Sequence, residues 1–180
     1  MFVLGGEAAA LGLGDDFRVG MGIRFGAGFA AGATPVALAS PTLKAGLTHE
    51  LRFRVSDSKT VPALYPEAAD FQQMPPVFAT GYLVGFLEWA CIDAIRPHLD
   101  WPAEQSLGTY IDVSHLAATP PGLEVTARVK LIEVDGRRLV FEVEAHDGVD
   151  IISRGRLERV VILADRFNAK IRAKADSAKP

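Results

Sequence analysis

Between Thr80 and Pro97 the chain reads Thr-Gly-Tyr-Leu-Val-Gly-Phe-Leu-Glu-Trp-Ala-Cys-Ile-Asp-Ala-Ile-Arg-Pro, and from Gly81 to Ile92 only Glu88 is neither apolar nor glycine. Val84, Leu87, Cys91 and Ile95 recur on one helical face, and Leu83, Phe86, Ala90 and Ala94 on another. A helix apolar on nearly all sides is predicted to be a core helix covered all round by other elements. At about 18 residues it is short for a membrane span, and it carries Glu88 at its centre. Thr80 is the expected N-cap, since its hydroxyl can accept a bond from a first-turn amide. Pro97 is the expected stop, because it has no amide proton and restricts the residue before it. A carboxylate therefore sits in the middle of an apolar rod.

Elsewhere the period is two. Leu51, Phe53 and Val55 alternate with Arg52 and Arg54, which predicts a half-buried strand. Residues 60–76 hold four prolines and no clean period, and are predicted to be a long loop leading into the helix. Four extended segments follow the helix. In 107–117 the residues Leu107, Ile111 and Val113 share one face. In 123–134 the apolar face is Leu123, Val125, Ala127, Val129 and Leu131, with Glu124, Arg128 and Lys130 opposite. The next runs 137–146, apolar at Leu139, Phe141, Val143 and Ala145, and the last runs 150–163. Asp135-Gly136 and Asp147-Gly148 between them are hairpin signals, because such turns need positive φ, and Thr119-Pro120-Pro121-Gly122 makes another turn. A short charged helix is expected over 165–175. One strand, a buried helix and an antiparallel meander able to wrap it make an α+β hot-dog arrangement, with the helix inside the sheet.

The first forty residues are rich in Gly and Ala, with few charges and no sustained period. They read as a disordered or low-complexity extension (1–40), with Met21 or a later site as an alternative beginning. The run 25–40, ending Ala37-Leu38-Ala39-Ser40, superficially resembles an export signal. It lies too far from Met1, lacks a basic cluster and is diluted by Gly and Pro35. The compact domain is expected over 41–175, with a tail at 176–180.

The whole chain has 180 residues, 49% hydrophobic and 23% charged, with a net charge of −3. That suits a single globular domain with a real core, and provides no basic field for nucleic acid or an anionic membrane. The lone Cys91 rules out a disulfide framework, argues against a metal cluster, and reads as a small buried hydrophobe.

Strand parity then shows which polar side chains point inward. His115 shares a face with Ile111 and Val113 and is expected to look at the helix. Arg159 shares a face with Leu157 and Val161. His146 falls with Glu142 and Glu144 on the wet face, and His49 and His98 are likewise expected to be solvent-exposed without a role. Glu88, His115 and Arg159 are the three titratable groups sent inward. Unpaired charges in a core cost several kcal/mol, so these groups must be paired, neutralised or hydrated by a cleft. A functional site and a structural Glu–Arg or Glu–His pair both satisfy that requirement. Thr80 and Glu88, eight residues apart on one helix, are separated by about 12 Å along the axis and about 80° around it. A ligand lying along the helix would meet Thr80 and the free first-turn amides at one end, and Glu88 at the other.

Several blocks agree, in order, with a known family. Lys59-Thr60-Val61, Leu64-Tyr65-Pro66-Glu67, Phe78 through Cys91, Ser106 to Thr109, His115, Ala117 to Leu123, Gly136 to Leu139, Ala145 to Asp150, Glu158-Arg159 and Phe167 to Lys170 together resemble the fluoroacetyl-CoA thioesterases. The resemblance covers about 47–174. It implies a homodimeric, cytoplasmic hot-dog enzyme that hydrolyses acyl-CoA thioesters with no metal and no cofactor beyond the CoA of its substrate. It implies a catalytic set of Thr80, Glu88 and His115, with Gly81, Gly108, Arg159, Phe71, Met74 and Val77 at the substrate. In the fluoroacetyl-specific enzyme a phenylalanine closes the acyl pocket within a Phe-x-x-Phe-Pro segment. Here the segment is Phe71-Gln72-Gln73-Met74-Pro75, which points to a more general short acyl-CoA thioesterase, since a thioether fills space less specifically than a ring. Arg137, Arg138 and Lys170 are candidates for the CoA phosphates. A hot-dog hydratase would carry an Asp-x-x-x-x-His pair, which is absent because Asp112 stands only three before His115. An acyl-CoA-binding regulator would carry a fused DNA-binding helical domain.

Overall fold

The computed structural model describes residues 42–178 together with Ile23 and Arg24. The expected extension lies outside the described residues apart from those two, as do the last two residues of the expected tail.

Six strands appear among the described residues: β1 (Ile23–Arg24), β2 (Thr48–Arg54), β3 (Glu104–Val113), β4 (Glu124–Asp135), β5 (Arg138–His146) and β6 (Ile151–Leu163). They form one antiparallel sheet in the order β1-β3-β6-β5-β4-β2. Four helices accompany them: α1 (Val61–Leu64), α2 (Ala69–Gln72), α3 (Thr80–Ile95) and α4 (Ala164–Ser177). The β4–β5 and β5–β6 connections are the two Asp-Gly turns, with Gly136 at φ +55° and Gly148 at φ +90°, conformations that cost a glycine little.

Helix α3 supplies Leu83, Phe86, Leu87, Ala90, Cys91, Ala94 and Ile95 to the core. There they join Val125, Ala127, Val129 and Leu131 of β4, Leu139, Phe141 and Val143 of β5, and Leu157 and Val161 of β6. Each fully buried Leu or Phe is worth about 1.5–3 kcal/mol, against about 1 kcal/mol lost at each helical glycine. Packing therefore holds a helix that contains Gly81 and Gly85. This is the α+β hot-dog arrangement.

Several local expectations need correction. The helix is not covered all round: Gly81, Gly85 and Trp89, spaced one turn apart, are exposed, Trp89 by 47%. Ala79, not Thr80, is the N-cap, and no side chain caps the helix. The α-helix ends at Ile95 and passes into a 3-10 turn, Arg96–His98, that includes Pro97. The stretch 60–76 is not a plain loop. It folds into α1 and α2, and a bridge between Thr60 and Phe78 closes its ends.

Strand β3 begins at Glu104 and shifts register between Gly108 and Tyr110. The extra residue reverses parity, so Ser106 and Gly108 share the inner face with Ile111 and Val113, while Leu107 lies on the other. His146 follows a similar irregularity after Ala145. It is half-buried, and its Nε2 is buried without a partner among the described residues. His49 and His98 are also half-buried, and His98 Nδ1 lies 2.7 Å from Thr42 Oγ1.

Candidate active site

The helix carries two polar clusters, one at its N-terminus and one midway along. At the N-terminus, Thr80 Oγ1 and His115 Nδ1 are hydrogen-bonded at 2.8 Å. Thr80 is in the first turn, and the loop after β3 brings His115 to it, tied to β6 by Ser114 N–H to Arg154 O and Leu116 N–H to Ile152 O. The threonine hydroxyl is thus engaged by imidazole rather than by a helix amide. Burial pushes the His115 pKa below its ordinary value, against an opposing interaction with the Ala117 backbone, which favours the neutral ring. With Nδ1 occupied by Thr80, His115 Nε2 is buried with no partner among the described residues, a nitrogen able to give or take a proton. The first helical bond runs from Leu83 N–H to Ala79 O, so the Thr80, Gly81 and Tyr82 amides are first-turn donors. Gly81 also admits α1: a Cβ there would lie 3.3 Å from Leu64 Cδ1.

At mid-helix, Glu88 Oε1 accepts a bond from Arg159 Nη1 at 3.0 Å. The Arg159 side chain is only 3% exposed and that of Glu88 31%, so the buried guanidinium is neutralised by a carboxylate that still reaches solvent. Gly108 lies directly across from Arg159 in the β3–β6 register. A Cβ at Gly108 would collide with Glu88 Oε1, so the absent side chain is the seat of the carboxylate.

The two clusters are not hydrogen-bonded to each other. Of the Glu–Arg and Glu–His pairings left open by the sequence, the chain makes the first: Glu88 meets Arg159, and His115 meets Thr80. Cys91 lies one helical turn from Glu88 and is fully buried, its thiol pushed up to about 12 by burial.

The remaining expected substrate residues sit on the lobe formed by α1 and α2. Phe71 is half-buried, its ring centroid 5.8 Å from that of Tyr65. Val77 is half-buried and accepts Val61 N–H, while Met74 is 46% exposed. No hydrogen bond or ring contact joins these three to Thr80, Glu88 or His115. Of the candidate phosphate ligands, Arg138 is taken up by Glu158 and Glu133 at 2.6–3.0 Å. Among the described residues no group of three His, Cys, Asp or Glu side chains is placed to hold a metal ion.

Ser106 is the residue that parity concealed. It is 8% exposed, its Oγ accepts Arg159 Nε–H at 3.0 Å, and its carbonyl accepts Arg159 Nη2–H at 2.9 Å. Only the bulge after Gly108 puts it on the inner face, and alternation alone places it outside.

A family model described as fluoroacetyl-CoA-specific thioesterase matches residues 55–165. The fluoroacetyl-CoA thioesterase of Streptantibioticus cattleyicolor is 55% identical over 127 residues, 71% of this chain and 89% of that protein. A solved structure of a threonine-to-serine variant of such an enzyme with acetyl-CoA superposes at a TM-score of 0.72. It shares 52% identity over 73% of this chain and 98% of its own. A thioesterase-superfamily member from Thermus thermophilus superposes at 0.67, with 26% identity over 76% of this chain and 96% of its own. With more than half the chain matched by that family and a close relative spanning most of it, this protein belongs to the fluoroacetyl-CoA-specific thioesterases.

Proposed function

We propose that this protein hydrolyses short-chain acyl-CoA thioesters to the free acid and CoA, with Thr80, Glu88 and His115 as its catalytic set in a homodimer. Thioester hydrolysis itself follows from family membership. The observation that carries the residue assignment is the pair of clusters on α3: a hydroxyl–imidazole pair at its N-terminus, and a carboxylate–guanidinium pair two turns later. Eight residues of helix hold them about 12 Å apart, too far to act together on one carbonyl within a chain.

A second copy related by two-fold symmetry supplies the missing half, so that each site joins Thr80 and His115 of one chain to Glu88 and Arg159 of the other. In support, Trp89, Tyr65, Met74 and Leu116 are large apolar side chains 39–53% exposed on the helix, the lobe and beside His115. Surfaces of that kind are usually covered by a partner.

In the reaction, the Glu88 carboxylate takes a proton from the water that attacks the thioester carbonyl, or attacks that carbonyl itself to form an acyl anhydride that water then cleaves to the free acid and the regenerated carboxylate. First-turn amides at Gly81, or the Gly108 amide, hold the oxyanion. His115 gives a proton from Nε2 to the CoA sulfur as the C–S bond breaks and regains one from the water consumed in hydrolysis, and Thr80 fixes the imidazole. Phe71, Met74 and Val77 line the acyl end. No cofactor takes part beyond the CoA of the substrate. The cytoplasm is the proposed location, where CoA esters occur and a single unpaired cysteine is unremarkable. Among the described residues no helix is long and apolar enough to cross a membrane.

Free-thiol release across a panel of acyl-CoAs, run beside an enoyl absorbance trace, tests the reading. A hydrolase releases thiol, a hydratase alters enoyl absorbance and a binding module does neither. Glu88→Gln should cut kcat by at least about 100-fold with the fold retained. Full turnover by that variant ends the assignment.

A further inference from the structure

Arg159 makes three different contacts through its three nitrogens. Nε and Nη2 donate to Ser106, one to the hydroxyl and one to the backbone carbonyl, and Nη1 donates to Glu88 Oε1. A long, flexible side chain is thereby held at two points, and one nitrogen is left for the carboxylate. The Arg159 side chain is 3% exposed and Ser106 is 8% exposed, so water does not compete readily for these bonds. The Glu88 carboxylate is in turn confined, with Oε1 between Arg159 Nη1 and the space that a Gly108 side chain would fill. Among the described residues Oε2 takes no hydrogen bond, and the Glu88 side chain is 31% exposed.

We propose that Ser106 is a positioning residue for hydrolysis: it fixes Arg159 so that Oε1 of Glu88 is anchored and Oε2 is the oxygen presented to the thioester or to water. This rests on the proposed role of Glu88 and goes beyond it by assigning the reacting oxygen and the residue that orients it. The bidentate grip matters because a carboxylate free to rotate about its last bond would exchange its two oxygens, losing the alignment that makes a bound reactant productive. Ser106→Ala removes the bond to Nε and leaves that buried donor unsatisfied. The guanidinium then pivots on the remaining carbonyl contact, and the carboxylate pivots with it.

The test compares Ser106→Ala, Ser106→Thr and Glu88→Gln by kcat, KM and melting temperature, with acetyl-CoA as substrate. Ser106→Ala is expected to lower kcat by about tenfold with KM within about twofold, the signature of lost transition-state alignment rather than lost binding. Ser106→Thr, which keeps the hydroxyl, is expected to recover most of that loss. The inference is overturned if Ser106→Ala turns over within about twofold of the unaltered enzyme. It is also overturned if Ser106→Thr is as slow as Ser106→Ala and both melt early, because residue 106 would then be a packing position. Unimpaired turnover by Glu88→Gln would remove the underlying catalytic assignment as well, so that the two failures are told apart by the Glu88 variant.

Discussion

Gly108→Ala tests how tightly the carboxylate is seated. A methyl group there would overlap Glu88 Oε1, and its nearest other side-chain neighbour is Arg159 Nη1 at 3.8 Å. The atom it meets is the end of a flexible side chain, so Glu88 can swing away, but only by leaving the buried Arg159 guanidinium without its carboxylate. The expected outcome is a protein that still folds but melts several degrees below the parent, because a buried charge loses its partner, while kcat falls by about 10- to 100-fold, since small misplacements of a reacting group cost about that much. Turnover kinetics beside a thermal melt check it, and unchanged kcat would show that the seat is unimportant. At the same scale the imidazole responds to pH with a definite sign. The folded pKa of His115 lies below its ordinary 6.5 because the ring is buried. The unfolded chain therefore takes up this proton first as the pH falls through 6.5, and stability is lost on acidification there. A set of melts between pH 5 and 8 should show this fall, weakened in His115→Gln.

Among the elements, the β5–β6 turn is secured by Asp147 and the α1–α2 lobe by its closed ends. Asp147 is buried. Its Oδ1 accepts the Val149 and Asp150 amides at 3.0 and 2.9 Å, and its Oδ2 accepts the Thr119 hydroxyl at 2.9 Å. Desolvation raises its pKa, but these hydrogen bonds together outweigh it and leave the group below its ordinary 3.8. A depressed carboxylate contributes stability above 3.8 that disappears as the pH falls below it. Asp147→Ala should cost about 1–3 kcal/mol, because Thr119 and two amides lose their acceptor; a denaturant titration reads this directly. On the lobe, Met74→Phe places a rigid ring where a flexible thioether stands. It should lower kcat/KM for four-carbon relative to two-carbon acyl-CoA by about tenfold, the discrimination that a methylene or two provides in an apolar pocket. An unchanged chain-length profile would remove Met74 from the acyl end.

For the whole molecule the decisive question is whether one chain makes a site. The proposed dimer predicts complementation. Thr80→Ala and Glu88→Gln chains, each inactive alone, should form mixed dimers in which one of the two sites is intact. With random assortment, refolding equal amounts together should restore about a quarter of parental activity in a two-fold-symmetric dimer. Sedimentation confirms that the mixture is dimeric, and no recovery from a dimeric mixture would place all three groups in one chain.

Residue pattern alone determined the large features of the fold. The meander's inner faces on β4 and β5 follow strict alternation, from Val125 to Leu131 and from Leu139 to Ala145, because every second side chain must avoid water. The apolar run of α3 and the two Asp-Gly turns follow from equally local rules. Glu88 and Arg159 were legible as inward-facing for the same reason: a charge out of place in an apolar period stands out. What only the tertiary structure decided is which of these groups meet. A single extra residue after Gly108 turned Ser106 inward and Leu107 outward, against the alternation on either side. Helix geometry keeps Thr80 from Glu88, and the separate approaches of the His115 loop and of β6 give each its own partner. A one-dimensional pattern records which face a side chain prefers, but bulges, loop paths and helix length set the distances between faces, and chemistry depends on those distances.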